Sequence, residues 1–414
     1  MKLPNNETFC VAPWFQIRNE NNGRKQVCCN ILSEDPSSVD AEPLEFLNSP
    51  TNRDLKQKLH EGIKVKACRR CWHSEENGVT SLRQKLNGVL TNNSGDVPNS
   101  WLGSYFKHKD DFVSEHIFMA DIKIGNTCNY ACVMCVPDDS SMIYNDWRKK
   151  PNAPFIQEKL KEDPGYLDRV KSNGYKNKSY RQYVKKILSD KGLRFLKILG
   201  GEPLLDQYLL EELKSLPEQQ KRIMTLYIVT NGSKDLLETR NYLGSFKSIM
   251  FTISIEGTGE VQEYARYGSQ WPLVSTNILN FQKHYPNDIS IHHTMQTATI
   301  LGFRHLVEWI SKNDLSLSVG LIDDPKHMGL WSLPTHVREQ IKKQIKSVDL
   351  HVKQNNIGDE QTVSLADIVD MIDATPFEQD EYKKFLDYIK WYEEGKKVTK
   401  LVTLFPSLFV DTEQ

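Results

Sequence analysis

Cysteine is missing from the last two thirds of the chain. All eight cysteines lie within the first 135 of the 414 residues, and residues 136–414 contain none. Cysteines that serve only packing would be scattered more evenly. In a cytosolic chain, clustered cysteines more often bind metals or take part in catalysis than form disulfides. The distribution therefore predicts two metal sites near the N-terminal end.

Long apolar segments are absent as well, and the formal net charge at pH 7 is only −1. The longest apolar runs, SIMFTISI and TLYIVT, are far shorter than the roughly 20 residues of a membrane-spanning helix. The first residues, MKLPNNETFC, lack the apolar stretch of a secretory signal, so we expect a cytoplasmic protein without a membrane segment. Apolar residues make up 39% and charged residues 26% of the chain, a balance typical of folded globular proteins.

Three of the cysteines are closely spaced in CNYACVMC, residues 128–135. After Cys128, Cys132 and Cys135, the next cysteine or histidine in the chain is His284. Three thiolates complete a tetrahedral zinc site only with a fourth ligand from the protein. They can also hold three irons of a [4Fe–4S] cluster and leave the fourth iron open to a ligand that is not protein. The spacing leaves both interpretations open.

From residue 116 onwards, strand-like and helix-like patterns alternate. The strand-like segments are short and rich in β-branched and aromatic residues, and the segments between them have apolar residues three and four apart. Six such units predict an α/β fold with a parallel sheet and right-handed crossovers. Six are too few for a full barrel, so we expect a partial (βα)6 TIM-like barrel. The predicted strands are 116–124, 193–199, 224–230, 248–255, 289–299 and 315–322.

The regions on either side of this barrel have a different composition. The N-terminal region is rich in Asn, Pro and Glu and holds five cysteines, which predicts a small, loop-rich module that depends on a metal. The C-terminal region has helical patterns and one strand-like segment, KLVTLF at 400–405. The predicted organisation is a module over 1–80, a linker or helix over 81–115, the barrel over 116–325 with a basic insertion at 148–192, and a helical extension over 326–414.

The segment Gly200-Gly201-Glu202-Pro203 follows the second predicted strand. Two glycines allow backbone to approach a ligand closely, and Glu202 can accept a hydrogen bond from an ammonium group. An ordinary strand-to-helix turn is the alternative interpretation. In a βα barrel, this segment and CNYACVMC would share the face on which active sites are built.

With these two motifs on one face, the chain resembles the radical S-adenosylmethionine (radical SAM) superfamily over residues 116–325. TNG at 230–232 and SIEGTGEVQEYARYG at 254–268 also match, while Met134 stands where many members have an aromatic residue. The resemblance implies a [4Fe–4S] cluster on Cys128, Cys132 and Cys135 whose open iron binds the amino and carboxylate groups of SAM. It also implies SAM-binding roles for Gly200, Gly201, Glu202, Pro203, Asn231, Ser254 and Arg266.

The resemblance further implies the reaction. An electron from the reduced cluster, supplied by an external donor of the flavodoxin or ferredoxin type, cleaves SAM to methionine and a 5′-deoxyadenosyl radical. That radical abstracts hydrogen from a substrate, while the protein positions SAM and excludes water. Whether the enzyme is an oxidoreductase, an epimerase or a transferase stays open, as does its oligomeric state. The competing class is a non-enzymatic zinc-binding adaptor, which would not need the GGEP segment.

The N-terminal cysteines form a second constellation. Cys10, Gly23 and Cys28 are spaced as in the hairpin of the SPASM/twitch modules of this superfamily, although those modules usually follow the barrel. Four thiolates complete a [4Fe–4S] site, and zinc is the alternative for four cysteines with one CxxC. Cys29 is expected to be spare, because successive strand side chains point to opposite faces. The predicted ligands of this auxiliary cluster are Cys10, Cys28, Cys68 and Cys71.

Polar residues alternate along two of the predicted barrel strands. Thr252, Ser254 and Glu256 share one face of TISIE, and His292, Thr294 and Gln296 share one face of IHHTMQT. Such rows suit a substrate that forms hydrogen bonds, although polar residues satisfied against helices would give the same pattern. Glu256, His292 and Gln296 are the candidate catalytic residues.

The basic insertion leaves the substrate undecided. Residues 148–197 carry fifteen Lys or Arg against five Asp or Glu. Basic residues interleaved with aromatic residues suit a nucleic acid, although a solvated charged insertion is the more common explanation of such a run. Peptide or protein side chains are the expected substrate class, because relatives with such modules most often modify peptides, and a nucleotide or nucleic-acid base is the alternative. The interleaved aromatic residues are Tyr166, Tyr175, Tyr180 and Tyr183.

Overall fold

The computed structural model describes residues 7–31, 42–76, 80–91, 111–171, 174–322, 324–346, 353–354 and 365–410. The chain forms two compact units. The first contains residues 1–126, 169–228 and 243–249, and the second contains 127–168, 229–242 and 250–414. Most of the linker predicted over 81–115 lies outside the described residues.

Short strands and longer helices alternate through the middle of the chain. The strands are β1 (Gln16–Asn19), β2 (Lys25–Gln26), β3 (Met119–Lys123), β4 (Ala131–Cys132), β5 (Phe195–Leu199), β6 (Thr225–Thr230), β7 (Ser248–Ser254), β8 (Arg266–Tyr267), β9 (Ile289–Met295), β10 (Ser316–Leu321) and β11 (Lys353–Gln354).

Helices occupy the segments between these strands and most of the described C-terminal part. They are α1 (Ala12–Phe15), α2 (Pro43–Leu47), α3 (Pro50–His60), α4 (Arg69–Glu76), α5 (Leu82–Thr91), α6 (Ser141–Lys149), α7 (Pro154–Glu162), α8 (Tyr166–Lys171), α9 (Lys178–Leu188), α10 (Gln207–Lys214), α11 (Glu218–Lys221), α12 (Leu236–Leu243), α13 (Glu260–Ala265), α14 (Trp271–His284), α15 (Phe303–Lys312), α16 (Thr335–Lys346), α17 (Leu365–Ala374), α18 (Gln379–Glu393) and α19 (Leu401–Leu404).

In the first unit, the parallel strands β6, β5, β3 and β1 are neighbours in that order, and β2 pairs with β1. β1 and β2 are antiparallel and are joined by a turn at Gly23, which has a φ of 86° that favours glycine. Arg18 on β1 forms a 2.5 Å ion pair with Asp121 on β3. The N-terminal hairpin is therefore part of this unit's sheet. Sequence analysis missed β1 because it has only four residues.

In the second unit, the parallel strands β7, β9, β10 and β11 are neighbours in that order. The burial of β7 alternates, with Ile249, Phe251 and Ile253 buried and the residues between them partly exposed. This alternation gives β7 one apolar and one polar face. The helix α15 buries residues at three- and four-residue spacing, which gives it one apolar face.

The α/β fold class is confirmed, as a partial TIM-like barrel of six βα units with an N-terminal cysteine-containing part and a helical C-terminal part. Each predicted barrel strand lies within four residues of an observed one at both ends. The strand predicted at 400–405 is wrong, because Leu401–Leu404 form the short helix α19. There Leu401 is buried, while Val402 is 48% exposed. The expectation that residues 1–80 are loop-rich is also wrong, since α1 to α4 occupy much of the described part.

Candidate active site

The cysteine loop, residues 128–135, lies in the second unit and is held by backbone pairing. Its strand β4 is antiparallel to β8, so that Cys132 is the direct partner of Arg266. The backbone N–H of Val133 donates to the carbonyl of Ala265 at 2.8 Å. Cys132 is buried, and Cys128 and Cys135 are partly exposed. The three predicted cluster ligands thus lie together on one short loop, as their spacing requires.

Arg266 connects the cysteine loop to a buried carboxylate. Its Nη1 lies 3.7 Å from Cys132 Sγ, and its Nη2 donates to Glu256 Oε1 at 2.6 Å. Glu256 is completely buried and also accepts from the backbone N–H of Thr294 at 2.9 Å. Although burial lowers the pKa of Arg266, Cys132 and Glu256 raise it, so the guanidinium stays charged. A fixed positive charge therefore faces the thiol of Cys132, one of the predicted cluster ligands.

The neighbouring Cys135 thiol and Arg266 act on the pKa of Cys132. Cys135 donates its S–H to Cys132 and lowers the pKa of Cys132, burial acts in the opposite direction, and Arg266 lowers the pKa further. Thiolates rather than thiols bind metals, so this arrangement favours the ligand form of Cys132. The donor set of three sulfurs and one adjacent cation fits an anionic iron–sulfur cluster.

Asn231 of the TNG motif reaches the cysteine loop within the second unit. Its Nδ2 donates to Asn129 Oδ1 at 2.8 Å, and its Oδ1 accepts from the backbone N–H of Ser233 at 3.0 Å. Asn129 in turn donates to the hydroxyl of Ser233 at 3.2 Å. The structure therefore assigns Asn231 a role in holding the loop. Asn129 lies inside the cysteine motif, but sequence reasoning did not single it out.

The polar rows expected on two strands are in register and extend onto a third. Ser254 on β7 is the direct partner of His292 on β9, and His292 is the partner of Ser318 on β10. His292 Nδ1 lies 3.0 Å from the hydroxyl of Ser318. A Cβ on Gly320 would come within 3.1 Å of the His292 ring, so glycine leaves room for the imidazole. These residues form one polar face of the second unit's sheet.

The three candidate catalytic residues have different surroundings. Glu256 is engaged by Arg266 and by the Thr294 N–H, so it holds another residue in place. His292 is partly exposed on the polar face, whereas Gln296 is completely buried just after β9. In the described part of the chain, neither amide atom of Gln296 has a hydrogen-bond partner. Of the three, only His292 combines partial exposure with an orienting contact.

Further buried polar atoms of the second unit lack partners among the described residues. Arg266 Nε, Gln262 Nε2 and His293 Nε2 are such atoms. Buried polar groups are normally hydrogen-bonded, so each unpaired group needs an explanation. A polar ligand would satisfy them. Arg266 Nε says most about the kind of ligand. Its N–H is a charged, buried donor next to the cysteine loop, so it suits an anionic group.

The GGEP segment lies in the first unit, where its glycines bring two backbone segments together. Gly200 has a φ of 134°, and a Cβ there would lie 2.8 Å from the carbonyl oxygen of Gly125. The Gly201 N–H donates to that same oxygen at 2.7 Å. Glu202 is completely buried and accepts from the Leu204 N–H at 3.0 Å. The close approach that the glycines predicted is therefore made to the end of β3, and the SAM-binding role of the segment stays a prediction.

The four predicted auxiliary ligands line one cavity of the first unit. We call it the cysteine cavity; it is lined by Cys10, Cys28, Cys68 and Cys71, and Cys29 is not among its lining residues. Apolar side chains such as Val27, Leu55 and Trp72 form most of the remaining wall. No three His, Cys, Asp or Glu side chains in the described ranges lie close enough together to hold a single metal ion. The four thiols line this one space.

The electrostatics of the cysteine cavity disfavour free thiolates at Cys10, Cys28 and Cys68. Burial raises the pKa of Cys68 to about 12, and burial together with neighbouring thiols raises the pKa of Cys10 and Cys28. Four thiolates cannot stay buried together unless positive charge compensates them, and metal binding supplies that charge while it releases the protons. The fit of these residues to a four-cysteine cluster therefore rests on their donor atoms and on the apolar walls around them.

Two side chains around this cavity were missed by sequence reasoning. Asn30 Nδ2 lies 3.9 Å from Cys71 Sγ, within reach of a weak hydrogen bond to sulfur. Arg83 lines the cavity and is held by Glu75 through bonds of 2.9 and 2.7 Å. No sequence signal marks Arg83. Asn30 follows the Cys28-Cys29 pair directly and could have been considered.

Three of the four tyrosines of the basic insertion are buried, and the fourth, Tyr183, is partly exposed. Tyr166, Tyr175 and Tyr180 are at most 9% exposed. Tyr175 donates to Glu212 at 2.8 Å, and Tyr166 donates to Asp138. Buried rings cannot stack with bases, so they provide no aromatic platform for a nucleic acid.

Several of the basic side chains have partners within the first unit. Lys185 pairs with Glu212 at 3.0 Å, and Lys186 with Glu42 at 2.6 Å. Arg181 lies 4.6 Å from the centre of the Tyr208 ring. These contacts assign part of the insertion to the structure of the unit. Whether its remaining charge binds nucleic acid stays a prediction.

No protein-family model and no curated protein matches this chain. Among solved structures, it is similar to TYW1 with a lysine-pyruvate adduct bound, at 18% identity over 53% of this chain and 70% of that chain, with a TM-score of 0.29. It is also similar to anSMEcpe with bound AdoMet and Cp18Cys peptide (14% identity, 54% and 57% coverage, TM-score 0.34). A third is Streptococcus suis SuiB bound to S-adenosylmethionine (14% identity, 75% and 62% coverage, TM-score 0.36). The chain thus spans less than two thirds of anSMEcpe and of SuiB, and values this low establish neither a shared activity nor a shared substrate.

In the described residues, no helix is both long enough and apolar enough to span a membrane.

Proposed function

We propose that this chain is a radical SAM enzyme that cleaves SAM reductively and uses the resulting 5′-deoxyadenosyl radical to abstract hydrogen from a substrate. The observation that carries the proposal is the contact between Arg266 and Cys132, because it joins two segments that the sequence motifs linked to SAM. Glu256, buried beside Arg266, holds the guanidinium in place. A three-cysteine loop with a fixed adjacent cation supports a cluster that binds an anionic ligand.

The residues of the second unit support distinct roles toward SAM. When bound, a reduced [4Fe–4S] cluster supplies the electron for cleavage of a carbon–sulfur bond of SAM. Cys128, Cys132 and Cys135 would hold that cluster, and Arg266 Nε would donate to the SAM carboxylate, because it is a buried donor with no other described partner. Ser254, at the end of β7, would contact the ribose. The GGEP segment keeps its proposed role at the amino group.

The cysteine cavity supports a second [4Fe–4S] cluster. Cys10, Cys28, Cys68 and Cys71 provide four ligands, so the cluster would not need a ligand from outside the protein. Its proposed task is electron transfer or substrate binding. Apolar walls around the thiols would keep water from the cluster, which favours stable ligation and shifts its reduction potential.

The proposed substrate is a peptide or protein side chain. The polar face around His292 and Ser318 offers donors and acceptors for a hydrogen-bonding substrate. The buried tyrosines of the basic insertion weaken the case for a nucleic acid, because base stacking needs accessible rings. The enzyme subclass is left open.

Metal analysis and product analysis test the proposal together. Protein purified without oxygen should contain about eight irons and as many sulfides, four for each cluster. With dithionite and SAM it should form 5′-deoxyadenosine and methionine. Stoichiometric zinc with no iron after reconstitution, and no 5′-deoxyadenosine, would favour the zinc-binding adaptor instead. A protein with iron but without SAM cleavage would contradict the SAM-binding role alone.

A further inference from the structure

The C-terminal helix α18 contacts the cysteine loop through two buried tyrosines. Tyr388 Oη donates to the carbonyl of Val133 at 2.6 Å, and Tyr392 Oη lies 2.8 Å from the carbonyl of Ala131. These carbonyls belong to the residues on either side of Cys132. The two phenols therefore bind the backbone immediately before and after one predicted cluster ligand.

Tyr392 also connects the loop to the segment that carries Arg266. Its hydroxyl lies 3.0 Å from the carbonyl of Tyr264, two residues before Arg266. A hydroxyl has one proton to donate, so the Tyr392 proton is shared between the carbonyls of Ala131 and Tyr264. Through this one atom, β4 and the end of α13, which directly precedes β8, are both connected to α18.

The surroundings keep both phenols neutral and their rings fixed. Tyr388 is 6% exposed and Tyr392 is completely buried, and the two rings are stacked with centroids 6.3 Å apart. Burial raises the pKa of both hydroxyls, and the nearby Cys132 raises it further. Phe155 packs edge-on against Tyr388 at 5.3 Å, which helps to exclude water from this side of the loop.

We propose that Tyr388 and Tyr392 are positioning residues that fix Cys132 and set the reduction potential of the cluster on the cysteine loop. Groups behind the ligands orient them, and dipoles near a cluster tune its potential. Each phenol points the positive end of its O–H dipole toward the loop, so it stabilises the more negatively charged, reduced cluster. Loss of a hydroxyl should therefore make the potential more negative. This inference rests on the proposed function.

The same helix provides a matched control. Tyr382 is also 6% exposed, and its hydroxyl also donates to a backbone carbonyl, that of Leu408. Leu408 does not belong to the cysteine loop. Tyr382→Phe should therefore remove a similar hydrogen bond, with a similar cost in stability, without any effect on Cys132.

The test is an EPR-monitored redox titration of the anaerobic holoprotein and of Tyr388→Phe, Tyr392→Phe and Tyr382→Phe. The signal that SAM perturbs is followed, because it reports the cluster on the loop. We expect Tyr388→Phe and Tyr392→Phe to shift its midpoint to more negative values, and Tyr382→Phe to leave it unchanged. Selective loss of that signal in the first two variants would also support the inference.

Equal midpoints and equal signals in all four proteins would overturn the inference, as would a shift in Tyr382→Phe of the same size. The wild-type protein separates this failure from failure of the proposed function. If the wild type carries no cluster whose signal responds to SAM, the proposed function is wrong. If it does and the midpoints agree, only the role of the two tyrosines is wrong.

Discussion

The cysteine cavity of the first unit and the cysteine loop of the second present the same ligand atom in different surroundings. In the cavity, four thiols from separate segments face one another across apolar walls, and burial raises the pKa of Cys10, Cys28 and Cys68. On the loop, three thiols lie within eight residues, and Arg266 reaches the sulfur of Cys132. In our proposal, the cavity supplies a complete ligand set, whereas the loop supplies an incomplete set beside a cation that can bind an anionic ligand.

This difference predicts which site meets SAM. A cluster with four protein ligands has no open iron, while one with three has a site for a further ligand. We therefore expect the loop to be required for SAM cleavage and the cavity to be required only for later steps. Variants that remove one site at a time test these two expectations separately.

The largest effect is expected from the loop. Replacement of Cys128, Cys132 or Cys135 by Ala should abolish the formation of 5′-deoxyadenosine, because the cluster loses one of its three ligands. The measurement is chromatography of the products after reduction in the presence of SAM. Cys29→Ala is the matched control, since Cys29 belongs to neither ligand set. Continued cleavage in all three loop variants would show that the loop does not carry the SAM-binding cluster.

A smaller effect on SAM cleavage is expected from the cavity. Cys10→Ala or Cys71→Ala should remove about half of the iron, one of two four-iron clusters, and should spare part of the SAM cleavage. Iron and sulfide analysis checks the first expectation, and the same product assay checks the second. Conversion of the enzyme's own substrate should be lost in these variants. Unchanged iron content in Cys10→Ala would mean that the ligand set of the cavity is wrong.

Replacement of Arg266, which is paired with Glu256, should weaken SAM binding without abolishing it. Arg266→Lys keeps the charge but loses the planar guanidinium, so SAM should bind roughly 10- to 100-fold more weakly, the equivalent of one hydrogen bond to a charged group. Isothermal titration under anaerobic conditions measures this change. Arg304→Lys is the control, because Arg304 pairs with Glu308 at 2.7 Å on the surface. Equal affinities in both variants would remove Arg266 from the SAM site.

The barrel strands could be predicted from the sequence because each one buries an alternating or continuous apolar set. The three-cysteine spacing likewise located the loop, since all its ligands lie within one short segment. That Cys10 and Cys28 would line the same cavity as Cys68 and Cys71 was expected only from the family resemblance. The 39 residues between Cys28 and Cys68 follow no pattern that predicts such a contact. The contact of Tyr388 and Tyr392 with a loop more than 250 residues earlier has no local signal at all.

The smallest expected effect concerns acid stability near the loop. Burial lowers the pKa of His327 to about 4; Glu381 and Asp324 oppose this shift, and Lys384 adds to it. The His327 ring packs on Tyr388 with ring centres 5.2 Å apart. The unfolded chain therefore binds a proton between about pH 6.5 and 4 that the folded chain does not, so stability falls as the pH falls through that window. His327→Phe should reduce this loss by at most about 3 kcal/mol.

Thermal unfolding of the wild type and of His327→Phe at several pH values between 7 and 4.5 measures that difference. Both proteins would carry the same clusters, so any acid lability of the clusters cancels in the comparison. Parallel curves of melting temperature against pH would contradict the role of His327. His327 belongs to the second unit, so this contribution to acid sensitivity is expected there.

The most direct test of the difference between the two sites is the EPR spectrum of each cluster alone, recorded with and without SAM. Cys10→Ala should retain only the cluster on the loop, and Cys132→Ala only the cluster in the cavity. We predict that SAM changes the spectrum of reduced Cys10→Ala and leaves that of reduced Cys132→Ala unchanged. A SAM-dependent change in Cys132→Ala, with none in Cys10→Ala, would contradict the assignment of the SAM site to the loop.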